Sequence, residues 1–196
     1  MRWLVYTLVM TDPTGQPPAD AGATSPSIFL IGPMGSGKSA VGRTLARLCD
    51  RSFIDSDTEI ERRTGVDINF IFEKEGEPGF RAREREVIED LTQRPGIVLA
   101  TGGGAVLLAA NRAALAARGV TVYLEASVQQ QVERTRRGRQ RPLLLAADPA
   151  ARLAELMEVR EPLYRETAQI VVSTDRRKVQ VVAEQILAEL EQRRLL

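Results

Sequence analysis

The sequence predicts an α/β fold: a three-layer α-β-α arrangement around a five-stranded parallel sheet. Two observations predict it. From Ser27 onward, short apolar runs bounded by glycines are too short to be helices, and they alternate with longer segments of helical period. In addition, the runs are apolar throughout, as expected for parallel strands covered by helices on both faces.

The strand candidates follow one another at intervals along the chain. They are Ile28–Ile31, Phe53–Ile54, Ile97–Ala100, Val120–Leu124 and Ile170–Val172. The helix candidates are Lys38–Leu48, Pro78–Thr92, Asn111–Arg118, Gln129–Arg136, Ala150–Arg160 and Lys178–Gln192. The last of these carries apolar residues at three- and four-residue spacings, which form one stripe that can pack on the sheet.

Length and composition predict one domain, 27–196, preceded by a disordered leader, 1–26. A chain of 196 residues with 43% hydrophobic content can bury one substantial core. The leader is rich in Pro, Gly, Ala, Ser and Thr after the apolar stretch Met1–Met10. That stretch is about half the roughly 20 residues that a membrane-spanning helix needs, and no cleavage site of a signal peptide follows it. We therefore expect a cytoplasmic protein.

Charge and rare residue types exclude several functions. The chain has 27 basic and 26 acidic residues, so no global field favours nucleic acid or a membrane as a partner. Its single cysteine, Cys49, excludes an internal disulfide. The absence of histidine removes the commonest general base, so any proton transfer must use carboxylate, lysine or water.

The segment Gly32–Ser39 matches the phosphate-binding pattern G-x-x-x-x-G-K-[ST], between a strand and a helix candidate. Backbone N–H groups of such a loop surround phosphate oxygens, the lysine reaches the β- and γ-phosphates, and the serine hydroxyl can bind Mg²⁺. The predicted nucleotide-binding residues here are Gly35, Ser36, Gly37, Lys38, Ser39 and Ala40. The motif alone is equally consistent with a GTPase, an ATPase motor fragment or a small-molecule kinase.

Two carboxylates, Asp55 and Asp57, follow the second strand candidate, at the sheet edge where ligands bind in open α/β folds. One could reach Mg²⁺ through water while the other meets an acceptor hydroxyl. Asp57 could equally be only the N-cap of the next helix. The segment 57–84 has no strand candidate and is dense in charge, so we expect a helical excursion from the sheet.

Further motifs follow in a fixed order. After the phosphate loop and the F-x-D-x-D motif at Phe53–Asp57 come four more: G-E-x-x-F-R-x-x-E at Gly76–Glu84, G-G-G at Gly102–Gly104, R-P-L-L at Arg141–Leu144 and R-x-P-L-Y at Arg160–Tyr164. This series resembles the shikimate kinase family in order and spacing, from about Ser27 to the C-terminus. The resemblance implies a P-loop NTPase fold of the nucleoside monophosphate kinase type.

The resemblance assigns an acceptor site. Asp57, Arg81 and Arg160 are implied to bind shikimate, with the arginines on its carboxylate and Asp57 on its ring hydroxyls. Paired N–H donors of a guanidinium suit a carboxylate better than a lysine does. Gly102, Gly103 and Gly104 are implied to let the backbone approach the same substrate, and Glu84 to orient Arg81.

The resemblance also assigns groups around the nucleotide. Arg141, in an arginine-rich lid at about 136–148, is implied to close over the transferring phosphoryl group, and Arg134 to stack near adenine. Ser39 would bind Mg²⁺ directly and Asp55 through water. The implied catalytic residues are Lys38, Asp57 and Arg141.

The implied activity is transfer of the γ-phosphoryl group of ATP to the 3-hydroxyl of shikimate, by a monomer that needs Mg²⁺. A gluconate or nucleoside monophosphate kinase would share the core but need another acceptor pocket. A regulatory nucleotide switch would leave the two arginine-bearing motifs unexplained. Size and neutral charge disfavour a helicase fragment.

Overall fold

The sheet at the centre of the molecule has five parallel strands in the order β2-β3-β1-β4-β5. We describe a computed structural model over residues 26–136 and 148–196. The strands are β1 (Ser27–Ile31), β2 (Ser52–Asp55), β3 (Ile97–Ala100), β4 (Gly119–Glu125) and β5 (Ile170–Ser173). The predicted three-layer fold with a five-stranded parallel sheet is confirmed.

Helices connect the strands. They are α1 (Lys38–Leu48), α2 (Ser56–Thr64), α3 (Ile68–Leu91), α4 (Ala109–Arg118), α5 (Val128–Thr135), α6 (Pro149–Thr167) and α7 (Val179–Gln192). The predicted excursion at 57–84 is helical: it contains most of α2 and the first part of α3. Helix α3 is kinked at Gly76, whose backbone (φ 69°, ψ −175°) is not helical, just before Pro78. None of the helices within the described ranges could span a bilayer.

Two apolar cores lie on opposite faces of the sheet. Strand β1 shows this most clearly, because Ile28 and Leu30 belong to one core while Phe29 and Ile31 belong to the other. The first core is completed by α1 and α7, and the second by α2, α3, α4 and α6. Covering both faces explains why the three inner strands β1, β3 and β4 are almost entirely apolar and buried.

Two local predictions need correction. Helix α6 continues through Pro162 to Thr167 rather than ending near Arg160. A proline removes one helical hydrogen bond, and burial of Tyr164 and Thr167 on this helix offsets that loss. The N-cap of α2 is Asp55, not Asp57, because the Asp55 side chain accepts hydrogen bonds from the N–H groups of Asp57 and Thr58.

The predicted leader, apart from Pro26, and most of the predicted lid lie outside the described residues. The lid residue Arg141 is among them. The leader and lid therefore stay predictions.

Candidate active site

The phosphate-binding motif forms a tight turn between β1 and α1. Gly32, Gly35 and Gly37 have φ values of 142°, 78° and 91°. These are backbone conformations that glycine adopts without strain. A Cβ on Gly32 would also lie 2.5 Å from the carbonyl oxygen of Leu124. The turn therefore needs glycine, and it leads directly into the N-terminus of α1, where anions are favoured.

The ammonium group of Lys38 lies against this turn. Its Nζ donates to the carbonyl oxygens of Gly32 at 2.7 Å and Pro33 at 2.8 Å. A longer contact joins Nζ to Ser36 Oγ at 3.4 Å. Because the lysine is already held by the loop, its charge is positioned next to the N–H groups that would surround phosphate.

Ser39 and Asp55 form a pair of oxygen donors beside the loop. Ser39 Oγ donates to Asp55 Oδ2 at 2.5 Å, and Asp55 Oδ1 accepts from Asp57 N at 3.1 Å. Hard oxygen donors suit Mg²⁺, which usually keeps several waters and takes further ligands from substrate phosphates. No group of three or more metal-binding side chains occurs in the described part of the chain. The two oxygens thus fit a Mg²⁺ ion bound jointly with a nucleotide.

One cavity of about 1010 Å³ extends from Ser39 and Asp55, beside the phosphate loop, to the predicted acceptor residues. The predicted site residues that line it are Ser39, Asp55, Asp57, Arg81, Gly102, Gly103, Gly104 and Arg160. They come from the carboxyl ends of β2 and β3 and from α1, α2, α3 and α6, which converge at one edge of the sheet. The residues predicted for the donor and those predicted for the acceptor therefore share one cleft.

Arg81 is held on the cavity wall by two carboxylates. Its Nη1 donates to Glu84 Oε2 at 2.7 Å, and its Nη2 donates to Glu77 Oε1 at 2.8 Å. Glu84 is fully buried. Burial raises the pKa of the Glu84 carboxyl, and the Arg81 guanidinium opposes that shift. The Glu84 contact is the one through which the resemblance implied that Glu84 orients Arg81, and the orienting role stays a prediction.

Arg160 differs from Arg81 because it is buried and forms no ion pair with a carboxylate of the described residues. Its exposed fraction is 4%. Across residues 26–136 and 148–196, no Asp or Glu oxygen forms an ion pair with it. Burial lowers the pKa of its guanidinium. A buried cation that lines a cavity and forms no ion pair within the described residues is a site for an anionic ligand.

The triple glycine passes directly under the acceptor side chains. A Cβ on Gly102 would lie 2.5 Å from Glu84 Oε1 and 2.8 Å from Asp57 Oδ1. A Cβ on Gly104 would overlap the Arg81 guanidinium. The N–H of Gly102 donates to Ser56 Oγ at 3.0 Å, which fixes the start of the turn. Glycine is needed here for close approach.

Replacing Gly104 with alanine is expected to raise the KM of the acceptor about tenfold by displacing Arg81. The backbone of Gly104 (φ −96°, ψ 0°) accepts alanine without strain, so the effect should come from the side-chain overlap. Steady-state kinetics with each substrate varied in turn measure it. The KM for ATP is the internal control and should change less than about twofold. An unchanged acceptor KM would contradict the assignment.

Arg134 lies on the nucleotide side of the molecule. Its Nη1 donates to the carbonyl oxygen of Gly35 at 3.0 Å, and its Nη2 donates to that of Thr174 at 2.7 Å. It thus braces the phosphate loop against the segment after β5. Its predicted stacking on adenine stays a prediction, and so does the role of Arg141.

Sequence reasoning missed two features of the site. Ile68, Phe72 and Phe80 supply an apolar wall of the cavity, and their helical spacing on α3 resembles that of ordinary core residues. The hydroxyl of Tyr164 donates to the carbonyl oxygen of Gly103 at 2.5 Å. Tyr164 belongs to the R-x-P-L-Y motif, but no pattern indicated this contact.

Comparison with known proteins identifies the family. A protein-family model described as Shikimate kinase matches residues 34–191. The chain is 56% identical over 164 residues to the shikimate kinase of Pseudomonas syringae pv. tomato, and the match covers 84% of this chain and 95% of that protein. The chain belongs to the shikimate kinase family. The shikimate kinase of Methylococcus capsulatus is 62% identical over 148 residues, covering 76% of this chain and 83% of that one.

A solved structure agrees with this family membership. The shikimate kinase from Acinetobacter baumannii in complex with shikimate superposes with a TM-score of 0.86 at 49% identity. The match covers 88% of this chain and 97% of that one. The predicted P-loop fold and the predicted class, an ATP-dependent small-molecule kinase, are confirmed.

Proposed function

We propose that this chain transfers the γ-phosphoryl group of ATP to the 3-hydroxyl of shikimate, giving shikimate 3-phosphate and ADP. One observation carries the proposal. Arg160, buried without a carboxylate partner among the described residues, lines the same cavity as Ser39 of the phosphate loop. A shikimate kinase needs a cation for the carboxylate of its acceptor within reach of the phosphates, and Arg160 meets that need.

The acceptor would be oriented by groups at both ends. Arg160 and Arg81 would hold the carboxylate, since guanidinium groups donate paired hydrogen bonds to it. Asp57, whose Oδ1 faces Gly102, would accept a hydrogen bond from the attacking hydroxyl. The apolar wall on α3 would contact the ring. Binding at both ends would leave the hydroxyl directed at the phosphate loop.

The chemical step needs positioning and charge stabilisation rather than a covalent intermediate. The hydroxyl oxygen would attack the γ-phosphorus in line, and the bond from that phosphorus to the β,γ-bridging oxygen would break. Asp57 would take the hydroxyl proton, as no histidine is present. Lys38 would stabilise charge on the phosphate oxygens. Mg²⁺, when held by Ser39 and through water by Asp55, supplies further neutralisation of the phosphates.

A coupled ADP-release assay tests the proposal. Shikimate, gluconate and a nucleoside monophosphate are titrated separately at saturating MgATP. Saturable ADP release that depends on shikimate alone is the expected result, and mass spectrometry should identify shikimate 3-phosphate. Turnover that does not respond to shikimate, or that responds better to another acceptor, would reject it.

A further inference from the structure

The Tyr164 hydroxyl lies between two parts of the acceptor site. Tyr164 is fully buried, and its hydroxyl donates to the carbonyl oxygen of Gly103 at 2.5 Å. The Arg160 guanidinium, one helical turn earlier on α6, lies close enough to this hydroxyl for the two groups to influence each other electrostatically. The phenol oxygen can therefore accept from Arg160 while its proton is donated to Gly103.

Gly103 extends this chain of contacts to the phosphate loop. A Cβ on Gly103 would lie 3.3 Å from Met34 N and 3.5 Å from the carbonyl oxygen of Gly32. The Gly103 peptide therefore packs directly on the turn that carries the nucleotide motif. Its position is fixed on one side by Tyr164 and on the other by the loop.

Arg160 needs such a contact in the ligand-free protein. A guanidinium has five N–H donors in a rigid plane, and within the described ranges no carboxylate pairs with this one. A buried cation without a fixed partner would adopt several orientations. The Tyr164 hydroxyl limits them before substrate arrives, and preorganisation of this kind increases affinity.

We propose that Tyr164 is a positioning residue for the acceptor: its hydroxyl orients the Arg160 guanidinium and fixes the Gly103 backbone in the cavity that both residues line. This rests on the proposed function, since the ligand of Arg160 is the shikimate carboxylate. Tyr164 itself need not touch substrate, because it acts through Arg160 and Gly103.

The chain contains a matched control in the neighbouring ring. Tyr123 stacks on Tyr164 with ring centroids 5.0 Å apart and an interplanar angle of 21°. Its hydroxyl is also buried, yet it has no hydrogen-bond partner among the residues described. Tyr123→Phe and Tyr164→Phe thus remove the same atom from the same stack, and only the second should break contacts to the site.

The experiment compares both variants with the unmodified chain in the shikimate-dependent ADP assay. Tyr164→Phe is expected to raise the KM for shikimate about tenfold, the size of one hydrogen bond in a charged network. The KM for ATP should stay within about twofold, and Tyr123→Phe should leave both constants within that range. KM does not depend on the fraction of folded enzyme, so a general loss of stability would not reproduce this split.

Two results would overturn the inference. One is a shikimate KM in Tyr164→Phe that matches that in Tyr123→Phe. The other is an equal rise in the KM values of shikimate and ATP, which would indicate a general packing role. Both require that the unmodified chain uses shikimate. If the unmodified chain does not use shikimate, the proposed function has failed and the inference fails with it. If it does use shikimate and only the Tyr164→Phe result is wrong, the inference alone has failed.

Discussion

Replacing Lys38 with alanine is expected to lower kcat by about 100- to 1,000-fold. The ammonium group is held by the carbonyl oxygens of Gly32 and Pro33 at 2.7 and 2.8 Å, so it is in place before the phosphates bind. Charge on the transferring phosphoryl oxygens is greatest in the transition state, where a preorganised cation contributes most. The loss should therefore appear in kcat rather than in the KM for shikimate.

The matched control for this variant is Lys74→Ala. Lys74 is exposed and pairs with Glu73 at 2.7 Å, far along the chain from the phosphate loop. Its replacement should leave kcat unchanged, because exposed ion pairs contribute little. Steady-state ADP release at saturating ATP and shikimate measures both variants. A kcat for Lys38→Ala within about threefold of the unmodified chain would contradict the assigned role.

Replacing Arg160 with alanine is expected to raise the KM for shikimate about 100-fold, with a much smaller change in kcat. Arg160 is 4% exposed and pairs with no carboxylate in the described part of the chain. The proposed function therefore assigns it to the shikimate carboxylate, which is attached two ring carbons away from the reacting hydroxyl. Contacts remote from the reacting atoms bind ground state and transition state alike, so KM should carry the loss.

Arg165→Ala is the control for this change, because Arg165 lies on the same helix but faces solvent and pairs with Glu161 at 2.8 Å. The KM for shikimate should not change in that variant. Initial rates over a range of shikimate concentrations at fixed MgATP compare the two. If Arg160→Ala lowered kcat strongly with an unchanged KM, or if Arg165→Ala had the same effect, the carboxylate assignment would be wrong.

Features set by local sequence were predictable. Strands β1, β3 and β4 were recognised because burial on both faces makes each an apolar run, and the bounds of α1 agree with the prediction at both ends. Gly32–Ser39 was recognised because the turn itself needs glycines. By contrast, the continuation of α6 through Pro162 depends on burial of the following turn, which local propensity opposes.

The parts that could not be predicted depend on contacts between distant segments. Tyr164 and Gly103 are separated by 61 positions, and nothing in either motif indicates their hydrogen bond. The lack of an ion-pair partner for Arg160 within the described ranges is likewise a property of the packed cavity, since Glu161 follows it directly in sequence but pairs with Arg165. The sequence left Asp57 open between an N-cap and a ligand contact, and the hydrogen bonds show that Asp55 caps α2 instead.

A crystal structure of the chain with ADP, Mg²⁺ and shikimate would test most directly whether donor and acceptor meet in this cavity. We expect the shikimate carboxylate on the guanidinium groups of Arg81 and Arg160, its 3-hydroxyl at Asp57, and the β-phosphate at Lys38 Nζ. Shikimate bound outside the cavity, or bound in it with its carboxylate turned away from both arginines, would contradict the proposed function.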